Sequence, residues 1–464
     1  MVSGQSGVVL GLGVLALLSV GPLVVALRRA RAHGDWDLSA SLVCATGLLA
    51  SLPSVVYILR GGRQEQVDAF GDVEIGFPGW VDRVGTLANG LLLVVCVAFV
   101  AHRLLLRRLR VLLAPLLACA LVVVLALSDG LHGQPFLVPR QLVLIAVLCA
   151  AAVARPGRPA FVGAAAAVLL FSVLSGAEAL LSPAAVLRPC RPDNPCGLLG
   201  IHYAGVFTNE NILSLVLVLG MPFVWLGLRG GVRVLLVCYL AFLAVVTGSR
   251  LAGVAALATL ALLVLLRPRL DGAATRPAAW RTLLALPLLA ATALVGLVLP
   301  FHHPGPARLG DRAVIWDMAR AELSRSPLTG LGGTAWSAKY PAGEIPAAVS
   351  PSLHNQWIDV LFAGGLLGLA LFVLLLLYLA LRGGVTGLPV AACVLLPVLI
   401  CSVLERPWSF GISNSLTFLL VAAVLLPVPA PRAAAAMAPA SGASRAAAPA
   451  RTPRPRPAAT ARGR

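Results

Sequence analysis

The sequence predicts an all-α fold: a polytopic integral membrane protein of about 12–13 transmembrane helices with one large extracytoplasmic loop. Three observations predict it. Of the 464 residues, 59% are apolar and only 12% charged, where an ordinary globular domain carries about a quarter charged residues. The mean hydropathy is +0.93. Uncharged stretches of bilayer-spanning length follow one another almost from end to end, so the bilayer is the solvent for most of the chain.

Taken in order, apolar windows suited to ~30 Å of hydrocarbon fall near 7–27, 38–59, 84–102, 111–128, 141–154, 160–182, 211–228, 234–249, 251–266, 282–300, 358–381, 385–404 and 414–427. The windows 141–154, 251–266 and 414–427 are the short ones. If loops alternate sides with the N-terminus outside, one side collects Arg28/Arg29/Arg31, Arg103/Arg107/Arg108/Arg110, Arg155/Arg158, Arg229/Arg233, Arg267/Arg269/Arg276/Arg281, Arg382 and the tail. That side holds 23 of the 36 basic residues, and the positive-inside rule makes it cytoplasmic. No basic residue precedes the first window and three follow it, the reverse of a cleaved signal peptide.

The same distribution explains the net charge of +18. A clustered basic surface would suggest phosphate binding, but these arginines sit in short loops and a tail, and no nucleic-acid partner is expected. The bilayer is the expected partner of the apolar faces. Three regions follow: N-terminal transmembrane helices over 1–200, a transmembrane core over 201–427 that includes the extracytoplasmic loop 301–357, and a disordered basic cytoplasmic tail over 428–464. Seven cysteines fall inside apolar windows, where a thiol behaves as a small hydrophobe. Cys190 and Cys196 instead close a polar loop on the outer face, where a disulfide is expected. Two such ligands are too few for a structural zinc site, and no metal is expected.

Chemistry is sought in the outer loops. Residues 60–83 carry scattered carboxylates (Glu65, Asp68, Asp72, Glu74, Asp82) that read as solvation. Residues 301–357 form the largest polar stretch, and a loop of that length is rarely idle. Asp311 is a good N-cap, and Ile315, Trp316, Ala319 and Leu323 recur at helical spacing, which predicts a short amphipathic helix on the outer surface. Pro327 ends it, and Gly330, Gly332 and Gly333 make a turn able to approach a ligand. His354 and Asn355 stand at the outer mouth of the next membrane helix, and Arg250 sits at the outer boundary between two apolar windows. A charge placed there is a functional candidate. Arginines suit bidentate phosphate recognition, and a neutral imidazole is the usual general base. Together Arg250, Arg312 and His354 suit holding a diphosphate leaving group while deprotonating an attacking hydroxyl.

These residues resemble the O-antigen ligase and O-antigen polymerase superfamily of polytopic membrane glycosyltransferases. His354-Asn355, nine residues, then Gly365-Leu-Leu-Gly368 is similar to the family's H-[NSQ]-x9-G-x-x-G signature. Arg312-x3-Trp316-x10-Pro327-x2-Gly330-x-Gly332 resembles its extracytoplasmic loop, and Thr247-Gly248-Ser249-Arg250 its Ser-Arg element. Gly205-x-Phe207-x3-Asn211-x2-Ser214 is similar to a further block, with Ser in place of Ala. The resemblance spans roughly 200–425; typical members have about twelve spans with both ends inside, so thirteen is a departure.

The resemblance implies metal-independent, inverting transfer of a glycan from an undecaprenyl-diphosphate carrier to a glycan, lipid or protein acceptor at the outer face of the cell membrane, with no cofactor. His354 corresponds to the base, and Arg250 and Arg312 to the diphosphate contacts. Asn355, Trp316, Asn211 and Arg320 are the expected substrate-binding residues. Surface polysaccharide polymerase and ligase share these motifs. A transporter or flippase is the alternative from another class; it predicts internal repeats and polar or broken helices near the bilayer midplane, of which the sequence offers only Glu178 as a candidate intramembrane charge.

Overall fold

Helix starts are written locally in the sequence. Asp37 accepts from the amides of Ser39 and Ala40 at 2.7 and 3.2 Å, Asn209 from Ile212 at 2.9 Å, and Asn355 from Trp357 and Ile358 at 2.8 and 3.0 Å, each satisfying amides that a helix start leaves open. In the computed structural model the structure describes residues 3–62, 66–67, 73–74, 77–107, 110–188, 197, 199–268, 270, 279–302, 312–339, 342–345 and 352–427. The pair Cys190/Cys196, the cap Asp311, the carboxylates Glu65, Asp68 and Asp72, and the tail 428–464 lie outside the described residues.

The elements are α1 (Ser3–Ala32), α2 (Leu38–Leu59), α3 (Gly79–Leu105), α4 (Leu113–Leu131), α5 (Pro139–Ala152), α6 (Arg158–Leu181), the single turn α7 (Pro183–Val186), α8 (Glu210–Gly227), α9 (Val232–Val246), α10 (Arg250–Leu266) and α11 (Ala279–Val298). After them come α12 (Arg312–Leu323), α13 (Ala335–Lys339), α14 (Gln356–Leu381), α15 (Gly384–Ser402) and α16 (Thr417–Val424). Among the described residues strand is confined to two-residue pairings, Gln66–Val67 with Val73–Glu74, and Leu187–Arg188 with His202–Tyr203. Each of the thirteen apolar windows contains a helix, and α12 is the amphipathic helix expected, with Ile315, Trp316, Ala319 and Leu323 buried.

Among the described residues, nine helices are long and apolar enough to cross a membrane, and α5, α9 and α10 are shorter apolar helices. The protein is an all-α, multi-pass membrane protein. The shortest window helix, α16, has eight residues, all buried, so neighbouring helices rather than lipid surround it and it need not span the hydrocarbon alone. Helix α6 is the most enclosed of the N-terminal helices. Its glycines let backbones touch: a Cβ on Gly163 would lie 2.2 Å from the Ala40 carbonyl oxygen, and one on Gly176 would lie 2.2 Å from the Ala16 Cβ. Small residues at such crossings are the membrane solution to close packing.

Polar contacts gather the helix ends into two layers. In the first, Arg229 forks onto Asp35 at 2.8 and 3.2 Å, Arg158 approaches the same carboxylate at 3.9 Å, and Arg155 lies 3.8 Å from Asp37. Gly157 donates to the Leu425 carbonyl at 2.7 Å, and Arg382 to the carbonyls of Val424 and Leu426. Trp225 donates to the Pro268 carbonyl, at the end of α10, at 3.4 Å. The opposite layer joins the Val206 carbonyl to Ser54, the Thr247 carbonyl to the Tyr203 amide, Asn355 to Gly296 and Val403, and Asp129 to Thr334. The arginines of the loop pattern thus share one end of the bundle, and the N-terminal ends of α10 and α14 share the other.

Among the described residues one helix is interrupted. At Gly365 α14 adopts φ 60°, ψ −158°, a region open essentially to glycine. The bonds this breaks are taken over by the segment that follows α12. Leu331 and Gly332 donate to the carbonyls of Phe362 and Ala363 at 2.8 and 2.9 Å, while Leu366 and Leu367 donate to those of Pro327 and Leu328 at 2.9 and 3.2 Å. Four inter-segment bonds thus satisfy groups that would otherwise be unpaired. The Pro327-x2-Gly330-x-Gly332 and Gly365-x-x-Gly368 spacings are the two halves of this interlock.

Candidate active site

His354 and Arg312 meet on a residue that the sequence reading did not single out. His354 Nδ1 lies 3.0 Å from Glu405 Oε2, and Arg312 Nη2 donates to Glu405 Oε1 at 3.2 Å. The three side chains are 20%, 32% and 12% exposed for His354, Arg312 and Glu405, so the group is recessed but open. A carboxylate on Nδ1 fixes the proton there in the neutral imidazole and leaves Nε2 as the basic nitrogen.

The backbone holds this arrangement from both sides of His354. Its φ of 46° is left-handed, a conformation that costs a non-glycine residue of order 1–3 kcal/mol and persists only where neighbours enforce it. On one side the Leu353 carbonyl, in a fully buried residue, accepts from the Trp316 indole at 2.8 Å. On the other, Asn355 caps α14 and its amide group donates to the carbonyls of Gly296 and Val403 at 3.0 and 2.9 Å. Asn355 therefore ties α11, α14 and α15 together next to the histidine. The segment bearing Glu405 is strapped to the same helix start: Arg406 pairs with Asp359 at 2.8 Å, and the Trp408 amide donates to Gln356 at 2.9 Å.

The remaining expected site residues are distributed as follows. Trp316 is 1% exposed and serves as the peg between α12 and Leu353. Arg320 donates to the Pro300 carbonyl and to Asp317 and stacks over Phe301 with its guanidinium 6.0 Å from the ring centroid, which fastens α12 to the end of α11. Arg250 is exposed at the first position of α10. It lies at the same end of the bundle as His354 but outside the Glu405 network, and it makes no ion pair among the described residues. Asn211 is half-buried in the first turn of α8, where the capping role falls to Asn209. Glu178, a carboxylate within the apolar window 160–182, is buried one turn before α6 ends.

A cap covers the apolar side of the site, with Ile315, Trp316, Ala319, Trp336, Ile345, Leu353, Ile358 and Phe362 in one cluster. Lys339 clamps it, 3.1 Å from Glu322 and 2.7 Å from Glu344. Burial opposes the Lys339 charge, but its hydrogen bonds to Glu344 and Glu322 and their charges outweigh this and raise its pKa above the ordinary lysine value.

Glu405 escaped the sequence reading although it carried the signal used for Arg250: a charge closing an apolar window, 385–404, at the end assigned to His354. Asp129, which closes the window 111–128, carried it too. What sequence could not supply is the pairing of positions 312, 354 and 405 across separate elements.

Residues 234–373 match the family described as O-Antigen ligase; against the curated proteins the chain has no match. The matched stretch holds Arg250, Arg312, Trp316, Arg320, His354 and Asn355, while Asn211 and Glu405 lie on either side of it. The match over residues 234–373 thus supports, for less than half of this multi-pass membrane protein, the likeness to the O-antigen ligase and polymerase superfamily that its motifs carry.

Proposed function

We propose that the protein transfers a glycan from an undecaprenyl-diphosphate carrier onto an acceptor hydroxyl at the outer face of the cell membrane, as a surface polysaccharide ligase or polymerase. The observation that carries this reading is the Arg312–Glu405–His354 constellation, one basic imidazole nitrogen beside a guanidinium at the mouth of a membrane bundle. The outer placement rests on the arginine-rich opposite end, which the positive-inside rule assigns to the cytoplasm.

In the proposed reaction His354 Nε2 takes the proton of the acceptor hydroxyl as its oxygen attacks the anomeric carbon. The bond from that carbon to the diphosphate oxygen breaks with its electron pair leaving on the diphosphate, and configuration inverts in one displacement. Glu405 stabilises the imidazolium that forms. Arg312 and Arg250 offset the charge growing on the leaving diphosphate, the preorganised electrostatics that lower such barriers. The displacement uses protein groups alone. Trp316, Asn355 and Arg320 contribute by shaping the wall of the site, and Asn211 by lining the same end of the bundle.

The interruption of α14 favours the transporter alternative at first sight, since broken helices hold ions in carriers. Here the carbonyls of Phe362 and Ala363 and the amides of Leu366 and Leu367 bond to 327–332, so the break serves to join two segments of the site, which favours glycan transfer. The test is transfer by the purified protein in lipid from a carrier-linked glycan. His354→Ala is expected to lower kcat by about 10²–10⁴-fold while carrier binding persists, and unchanged transfer would sink the mechanism.

A further inference from the structure

Asp129, in the last turn of α4, is fully buried and lies outside the O-antigen ligase stretch. Its Oδ1 accepts from both the amide and the hydroxyl of Thr334, at 3.0 and 2.8 Å. Its Oδ2 accepts from Gln141 Nε2 at 2.8 Å, and Gln141, itself fully buried, takes the Val138 amide at 2.9 Å on its other end. A carboxylate is an all-acceptor group and here meets three donors from two directions; an Asn at this place would turn an NH2 toward a donor on one side or the other.

The loop that Asp129 grips is the one that both reacting segments rest on. Gly332 passes so close that a Cβ there would lie 2.2 Å from Asp129 Oδ1, at a φ of 111°. Leu331 and Gly332 carry the bonds to Phe362 and Ala363 that support the first turns of α14 below His354. Gly333 lies against Gly411, its would-be Cβ 3.0 Å from the Gly411 Cα, and Gly411 belongs to the segment that bears Glu405.

We propose that Asp129 is a positioning residue for glycan transfer: through Thr334 it holds the 327–334 segment in register, and so sets His354 against Glu405. The proposal rests on the function argued above. It makes α4 and α5, from the N-terminal helices, part of the working unit. A buried carboxylate of purely structural value would weaken the whole fold when altered. A positioning residue affects the chemical step, because a misplacement of about 1 Å in such a site costs roughly 10²-fold.

The test uses the full-length protein in lipid nanodiscs, with carrier-linked glycan and acceptor, read together with amide hydrogen exchange. Asp129→Asn is expected to lower kcat roughly 10- to 100-fold with KM for the carrier substrate within about twofold. Exchange is expected to quicken in peptides covering 327–334 and 360–368 and to stay unchanged in α6. Thr334→Val, which removes only the hydroxyl donor, should move both readings the same way by less, and it carries the test if Asp129→Asn does not fold. Unchanged kcat overturns the proposal, as does unchanged exchange in those peptides, or a rise in exchange that includes α6. If the wild type transfers no glycan, the functional reading itself fails, and the exchange measurement alone then decides whether Asp129 holds the loop.

Discussion

In a neutral histidine a carboxylate on Nδ1 fixes the proton there and makes Nε2 the basic nitrogen, and at His354 that carboxylate is Glu405. Glu405→Gln keeps a hydrogen-bonding group of the same shape but removes the charge that stabilises an imidazolium. Transfer should fall by roughly 10²-fold or more, with carrier binding nearly unchanged; single-turnover kinetics separate the two. Arg312→Lys should recover little of what Arg312→Ala loses, because one ammonium cannot replace the fork that reaches Glu405 and an anion together. At this scale the sequence made His354, Arg312 and Arg250 visible as candidates through residue type and position, and the structure brings the first two together on Glu405. Glu405 was missed because its meaning comes from a contact across 51 positions of chain, which no local spacing encodes.

At the level of elements the decisive feature is the interlock of 327–332 with the break in α14. Gly365→Ala places a methyl 2.3 Å from the Leu328 carbonyl oxygen at a φ of 60°; the backbone conformation alone costs of order 1–3 kcal/mol. Thermal unfolding in detergent should show a clear loss of stability, whereas Gly253→Ala, in open space on α10, should be neutral. The cap over the site depends on Lys339. Because the folded pKa of Lys339 is raised, the contribution of the clamp is fully present below the ordinary lysine value of about 10.4 and is lost only as pH rises through the folded pKa. Proteolytic cleavage within the cap should therefore be the same at pH 7 and pH 9 for the wild type, and faster at both for Lys339→Met. The amphipathic α12 was legible from its spacing of apolar residues. The break in α14 was not, since a glycine pair inside an apolar run reads equally well as continuous helix until its partner segment is in place.

The described helices form a bundle whose two ends differ in chemistry. Thirteen windows read from hydropathy each hold a helix, and the loop arginines that set the predicted orientation share one end. Sequence was most informative here because lipid imposes length and apolarity on every span, while the layering of polar contacts at each end depends on packing. The orientation is testable with an impermeant thiol reagent on intact cells. A cysteine at exposed Ser337 should label from outside, and one at exposed Ala32 only after the membrane is opened; the reverse would turn the topology over.

In the proposed function His354, steadied by Glu405, is the base of a glycan transfer from a diphosphate carrier. The most direct measurement is transfer by the purified, lipid-reconstituted protein from undecaprenyl-diphosphate-linked glycan, comparing wild type with His354→Ala and with Glu405→Gln. Turnover is expected of the wild type, with a loss of about 10²–10⁴-fold in kcat for the first variant, a loss of roughly 10²-fold or more for the second, and carrier affinity largely kept in both. Wild-type turnover that survives His354→Ala would contradict it.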